Sequence, residues 1–121
     1  MTEATLPPQE IRVTPDRRTL VLVQPEGRRD ELSAEMLRVM SPSAEVQGHS
    51  PDQRKTVGGK IEVAIASVAP IGHYAVRIGF DDGHDTGIFT WGYLADLARE
   101  KDSRWQAYLD ELQAKGLRRE R

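Results

Sequence analysis

Residues 80–91 constrain the fold of this chain more than any other segment. An alternating apolar pattern ends at Phe80, the dipeptide Asp82-Gly83 follows, and a second short β-rich run begins at Gly87. Asp-Gly is a strong hairpin signal, because glycine readily adopts the positive φ that such a turn requires. The segment therefore predicts two antiparallel strands joined by a tight turn, with three carboxylates and one imidazole beside it.

The remaining patterns predict a small α+β domain. Residues 61–66 and 74–80 alternate in the period-two pattern of half-buried strands, and residues 70–72 supply a turn between them. Residues 10–14 and 18–24 are β-rich runs on either side of a Pro-Asp turn. Ser33, Thr90 and Ser103 are in positions to cap helices. We therefore expect one largely antiparallel β-sheet, one short internal helix near residues 34–40 and two C-terminal helices.

Loop and terminal signals predict how the domain is bounded. Residues 1–8 include Pro7-Pro8 and have no apolar period, so we expect a flexible leader there. Residues 9–116 are expected to form the folded domain, and residues 117–121 a charged tail. Residues 41–59 carry two prolines and three glycines and predict the longest loop.

Composition excludes several classes of function. The 121 residues include no cysteine, which excludes disulfides, thiolate catalysis and clusters bound by this chain's own thiolates. The formal net charge of -2, with both signs interspersed, gives no basic field that would attract nucleic acid. No stretch approaches the roughly 18 apolar residues of a membrane helix, and the N-terminus has no signal-peptide pattern. We therefore expect a cytoplasmic protein that binds neither nucleic acid nor membranes.

The turn supplies the main candidate for a metal or acid–base site. Asp82, His84 and Asp85, joined by His49 or His73, offer carboxylate and imidazole groups that suit iron, manganese or zinc. Their spacing fits neither the His-x-Asp/Glu pattern of a facial triad nor a calcium loop. The simpler interpretation is a tight turn whose carboxylates cap exposed amides. The residue pattern leaves both readings open.

Four segments together point to a known family. They are the Leu-Arg pair and Ser-Pro-Ser-Ala-Glu-Val-Gln-Gly-His run within residues 37–49, residues 68–76, the Asp-Asp-Gly-His turn, and Trp91-Gly92-Tyr93-Leu94. Over roughly residues 9–112 the chain resembles the gamma-butyrobetaine hydroxylase-like N-terminal domain. The resemblance implies a small α+β module. That module occurs at the start of gamma-butyrobetaine and trimethyllysine dioxygenases, on ATPases that carry iron–sulfur clusters, and alone in many bacteria.

The resemblance also implies a zinc site that this chain has lost. In the dioxygenases the module holds a structural zinc through three cysteines and one histidine. The histidine corresponds to His84, and the cysteine positions correspond to Ser41, Ser43 and Val46. Hydroxyl groups are poor zinc ligands and valine is none, so we expect no family-type zinc and no cofactor beyond a weakly bound iron or another divalent metal.

Two functions remain as expectations. The catalytic iron of the dioxygenases belongs to a separate domain, so the resemblance implies no hydroxylase activity. It favours a non-catalytic accessory or interaction module that has a protein partner and is linked to iron or iron–sulfur protein maturation. The alternative is a small metal-binding enzyme or metal-handling protein centred on the Asp-Asp-Gly-His turn.

Overall fold

A computed structural model describes residues 7–121, so most of the predicted leader lies outside the described residues. Within this range the chain forms six β-strands, four α-helices and one 3₁₀ turn at Pro51–Gln53. The strands and helices, in chain order, are β1 (Glu10–Val13), β2 (Thr19–Val23), β3 (Arg29–Ser33), α1 (Ala34–Val39), α2 (Ala44–Gln47), β4 (Ile65–Ile71), β5 (Ala75–Phe80), β6 (Gly87–Thr90), α3 (Trp91–Arg99) and α4 (Lys101–Ala114).

The strands form two separate antiparallel sheets, in the orders β1-β2-β3 and β4-β5-β6. The α+β class is confirmed, whereas the single sheet that we expected is wrong. Arg17 joins the two sheets, because its carbonyl accepts from Ile65 N at 2.7 Å and its guanidinium donates to the carbonyls of Ile65 and Ala66 at 2.6 and 2.7 Å. The start of β4 therefore meets the β1–β2 turn, and it does not continue the first sheet.

The predicted strand over residues 61–66 is displaced along the chain, since β4 begins at Ile65. The backbone N–H of Ile61 donates to Arg119 O at 3.1 Å, and that of Val63 donates to Lys60 O at 3.1 Å. These groups are not free for a ladder, although Val63 is buried. The predicted turn at residues 70–72 is also shifted, because β4 runs through Ile71 and the turn begins at Gly72, whose φ is +53°.

Two of the three predicted helix caps are confirmed. Ser33 Oγ accepts from Met36 N at 3.0 Å at the start of α1, and Thr90 Oγ1 accepts from Tyr93 N at 3.1 Å at the start of α3. The cap at Ser103 is wrong, because α4 begins at Lys101, and Glu100 alone separates it from the end of α3. Ser103 lies inside α4, where its hydroxyl donates to Glu100 O at 3.1 Å.

The predicted loop and tail are more structured than their composition suggested. The segment 41–59 contains α2, which Ser43 caps by accepting from Glu45 N at 3.2 Å. In the tail, Arg118 O accepts from Gly59 N at 2.8 Å. Arg119 forms two hydrogen bonds of 2.9 and 2.7 Å to Glu35, which is only 6% exposed. The tail is therefore docked against α1.

The main hydrophobic core is shared by both sheets and by α1 and α3. Its members include Leu20, Leu32, Met36, Leu37, Ile65, Val76, Ile78, Phe89, Leu94 and Leu97. A smaller cluster packs Tyr108 and Leu112 of α4 against Val39 of α1. Of the helices in residues 7–121, none has the length and apolar character that a bilayer crossing requires.

Candidate functional site

The Asp-Gly turn after β5 positions the candidate site. Gly83 has φ +91°, in the left-handed region that favours glycine, and its N–H donates to Phe80 O at 3.1 Å. Phe80 N donates to His84 O at 2.9 Å, and His84 N donates to Asp82 Oδ1 at 3.1 Å. Hydrogen bonds to and from the backbone of Phe80 therefore close the turn. The His84 side chain is directed inward and is only 3% exposed.

Asp82 is held by two cations that sequence reasoning did not connect to it. Its Oδ2 lies 2.7 Å from Arg38 Nε and 2.6 Å from Lys60 Nζ. Partial burial raises the pKa of Asp82, but the hydrogen bonds from Lys60, the His84 backbone and Arg38 outweigh it and lower the pKa to about 2. The carboxylate is therefore committed to an ion-pair cluster.

Both ring nitrogens of His84 contact residues of the segment before and within α2. Nε2 lies 2.9 Å from Ser41 Oγ, and Nδ1 lies 3.2 Å from Glu45 Oε2. The other carboxylate oxygen of Glu45 accepts from Thr86 Oγ1 at 3.0 Å, so the Ser43 hydroxyl donates to Thr86 at 2.8 Å. A carboxylate only accepts, so Nδ1 carries a proton, and in the neutral imidazole Nε2 then accepts from the Ser41 hydroxyl.

This order of contacts, Ser41 to His84 to Glu45, is that of a Ser-His-acid triad. Nucleophilic catalysis requires a serine that the substrate can reach, and here the serine is buried while the acid is exposed. Ser41 is fully buried at 0% exposure, and its oxygen also accepts from Ser43 N at 3.2 Å, whereas Glu45 is 62% exposed. A substrate would reach the acid before the nucleophile. The arrangement can bind α2 to the turn, but it cannot present Ser41 to an acyl group.

The four predicted metal ligands do not converge. Asp82 is paired with cations, and Asp85 is exposed on the strand side of the turn, near Gly79. His49 is exposed after α2, where its N–H donates to Gln53. Throughout residues 7–121, no group of three or more histidine, aspartate or glutamate side chains is arranged to hold a metal ion. Metal binding at this turn remains a prediction for a direct assay.

The positions to which the family resemblance assigns zinc cysteines lie at the site. Ser41, Ser43 and Val46 are all buried, and Ser41 contacts His84 directly. Ser43 reaches His84 through Thr86 and Glu45. These side chains do not fit a zinc ion. Ser41 and Ser43 offer only hydroxyl groups, and Val46 offers no ligand atom. The imidazole of His84 is also hydrogen-bonded to Ser41 at 2.9 Å.

Sequence reasoning missed Glu45, Thr86, Arg38 and Lys60 as members of the site. Glu45 is the only one with a local signal, since it follows Ser43 in a helix-cap pattern. Arg38 and Lys60 lie 44 and 22 positions from Asp82 in the sequence, and no local pattern relates them. Only the fold brings these charges together.

Comparisons with known proteins agree with this architecture. The model of the family described as gamma-butyrobetaine hydroxylase-like, N-terminal, matches residues 11–95. One protein solved by NMR in solution is 45% identical, with 96% of this chain and 91% of its own chain covered and a TM-score of 0.82. A second NMR structure is 40% identical, with 98% and 90% covered and a TM-score of 0.82.

A crystal structure of a protein with unknown function from Acidithiobacillus ferrooxidans, assigned to the DUF971 family, is also similar. It is 38% identical, covers 80% of this chain and 98% of its own, and has a TM-score of 0.64. No curated protein matches the sequence significantly. The family model spans most of the chain and these relatives share its fold at high identity, so the chain belongs to the gamma-butyrobetaine hydroxylase-like, N-terminal family.

Proposed function

We propose that the protein is a non-catalytic accessory module that binds another protein and serves iron or iron–sulfur protein maturation. The observation that carries the interaction role is the outer face of the β4-β5-β6 sheet. Ile88 is 40% exposed there, beside Arg77 on β5, and Tyr74 in the β4–β5 turn is 56% exposed. Exposed apolar groups rimmed by polar side chains are typical of protein-binding surfaces.

The opposite face of the same sheet explains why this surface is available. Val76, Ile78 and Phe89 face the core and are at most 2% exposed, whereas Arg77 and Ile88, which alternate with them, are exposed. On the outward face Arg77 pairs with the exposed Ile88, whereas Ala75, opposite Thr90, is fully buried. The Arg77–Ile88 pair is therefore the exposed part of these two strands on this face.

The link to iron–sulfur proteins rests on the family and on composition. The family resemblance implies attachment of this module to ATPases that carry iron–sulfur clusters. The chain has no cysteine, so the thiolates for any cluster must come from the partner. An accessory role beside a cluster-bearing protein is consistent with both points.

Site-specific photo-crosslinking in cells tests the proposal. A photoreactive amino acid at Ile88 should give a discrete adduct with an iron–sulfur protein, and the same probe at exposed Gln113 on α4 is the matched control. Adding Tyr74→Glu should abolish the adduct while the protein stays folded. Equal adducts at both positions, or an Ile88 probe that captures no iron–sulfur protein, would contradict the proposal.

The alternative is a metal-dependent enzyme or metal-handling protein centred on the turn. Its best support is that His84 and two carboxylates lie within four residues. To act as a ligand, Asp82 would have to leave both Arg38 and Lys60, and His84 would have to break its contacts with Ser41 or Glu45. The accessory role requires no such rearrangement, so the geometry supports it better.

A further inference from the structure

A groove of about 380 Å³ lies between the C-terminal end of α1 and helices α3 and α4. We call it the α1–α4 groove. Its volume falls in the lower part of the roughly 300–1,000 Å³ range that is typical of small-molecule sites. It shares no residue with the His84 site or with the outer face of the β4-β5-β6 sheet. Any ligand bound there would therefore be independent of the proposed protein-binding surface.

The walls of the groove are apolar and anchored. Met40, Pro42 and the rings of Tyr93 and Tyr108 are among the residues that line it. The Tyr93 hydroxyl donates to Met40 O, and the Tyr108 hydroxyl donates to Val57 O at 2.6 Å. Burial raises the pKa of Tyr108 to about 12, so this ring stays neutral. Two aromatic rings with engaged hydroxyls form a fixed apolar wall.

The rim of the groove carries two arginines and one glutamate. Glu111 is already engaged, because one oxygen accepts from Thr56 at 2.9 Å and the other pairs with Arg54. Arg104 uses its Nε on Glu100 at 2.8 Å, and its guanidinium lies 5.9 Å from the centre of the Tyr93 ring. Across residues 7–121, Arg54 and Arg104 each form a single ion pair, which leaves most of their five N–H donors for a ligand.

We propose that the α1–α4 groove binds a small organic monoanion, an aryl carboxylate whose ring packs against the tyrosine-lined wall and whose carboxylate is held by Arg104 and Arg54. The planar guanidinium matches a carboxylate in two-pronged geometry. Each guanidinium is paired with one carboxylate, Arg54 with Glu111 and Arg104 with Glu100, so the ligand carboxylate would be held by the N–H donors that these ion pairs leave unused.

Protein NMR titration with three matched probes tests this site. The probes are 3-phenylpropionate, the neutral 3-phenylpropanamide of the same shape, and acetate, which carries the charge without the ring. The phenylpropionate should give saturable amide shifts at groove residues and bind at least about tenfold more tightly than either control, because only it supplies both contacts. Ile88→Glu should leave this titration unchanged, which separates the site from the proposed protein-binding surface.

Substitutions of single arginines test which residue holds the carboxylate of the ligand. Arg104→Met keeps the aliphatic stem and should weaken binding at least about tenfold, the size of one charge-assisted hydrogen bond, whereas Arg104→Lys should restore part of the affinity. Arg28→Met is the control, because Arg28 lies at the exposed β2–β3 turn and pairs with Glu26. Should Arg104→Met fail to fold, Arg54→Met applies the same test. Equal binding of the amide, shifts outside the groove, or absence of saturation would overturn the proposal.

Discussion

Replacing His84 with alanine tests whether the imidazole holds the fold together, and the structure sets the size of the effect. Its Nε2 lies 2.9 Å from the hydroxyl of Ser41, which is fully buried. Without the ring that hydroxyl keeps the N–H of Ser43 but loses its acceptor, and an unsatisfied buried polar group costs about 1–3 kcal/mol. The contact with the exposed Glu45 contributes less than about 1 kcal/mol. We expect His84→Ala to lower the free energy of unfolding by about 2 kcal/mol.

Urea denaturation followed by circular dichroism measures this change. Glu45→Gln is the matched control and should shift the free energy of unfolding by no more than about 0.5 kcal/mol, because Glu45 is solvated. Ser41→Ala combined with His84→Ala should be less destabilising than the sum of the single variants by about 1 kcal/mol, since both remove the same contact. The structural role would be refuted if the free-energy changes of the two single variants simply added in the double variant. It would also be refuted if His84→Ala lowered the free energy of unfolding by less than about 0.5 kcal/mol.

Three further outcomes follow from the site. Gly83→Val should cost more than about 1 kcal/mol, because φ is +91° there, and Gly83→Asn should cost less; equal stabilities in thermal denaturation would contradict the turn argument. Cysteine at all three zinc-cysteine positions (Ser41, Ser43 and Val46) should raise the melting temperature only with zinc, and adding His84→Ala should remove that shift; a variant indifferent to zinc would show that the family's site does not map onto these residues. The folded pKa of Asp82 is lowered from 3.8 to about 2, so its ionised form stabilises the fold above about pH 4 and this contribution is lost as the pH falls through about 2. Asp82→Asn should therefore be less stable than the parent at pH 7 and should lose that difference in urea titrations near pH 2; a pH-independent difference would contradict the ion-pair account.

Local signals predicted local structure well. Ser33 and Thr90 cap helices because a side-chain oxygen needs only an amide two or three residues ahead. The Asp-Gly turn at Gly83 was predictable for the same reason, since glycine at that position adopts a conformation that other residues rarely take. These features depend on a few neighbouring residues and on no distant contact.

The errors came from groups whose partners are distant in the sequence. Ile61 and Val63 alternate as a strand would, but Arg119 binds the backbone of Ile61, so the strand begins later. The two sheets are joined by Arg17, which lies in the predicted Pro-Asp turn, adopts φ +61° and bonds to Ile65 and Ala66, and nothing in that turn sequence points to partners 48 and 49 positions away. Periodicity reports burial, and it does not say which backbone groups are already paired.

The candidate site shows the same division. The family resemblance maps His84 and Ser41 onto one zinc site, and their side chains lie 2.9 Å apart. The residues that complete the arrangement were not predicted, because Glu45 lies 39 positions from His84 and Arg38 lies 44 positions from Asp82. Tertiary structure decides whether a carboxylate faces a metal or a guanidinium. A run of aspartates and histidine in the sequence does not distinguish these two environments.

Metal stoichiometry tests most directly whether the His84 site is a hydrogen-bonded structural centre or a metal centre. Protein purified without chelators or affinity metals is measured by inductively coupled plasma mass spectrometry beside His84→Ala. We predict iron, manganese and zinc each well below one equivalent in both proteins, because His84 is engaged by Ser41 and Glu45, and Asp82 by Arg38 and Lys60. One equivalent of metal in the parent protein that disappears in His84→Ala would contradict this account and favour the metal-dependent alternative.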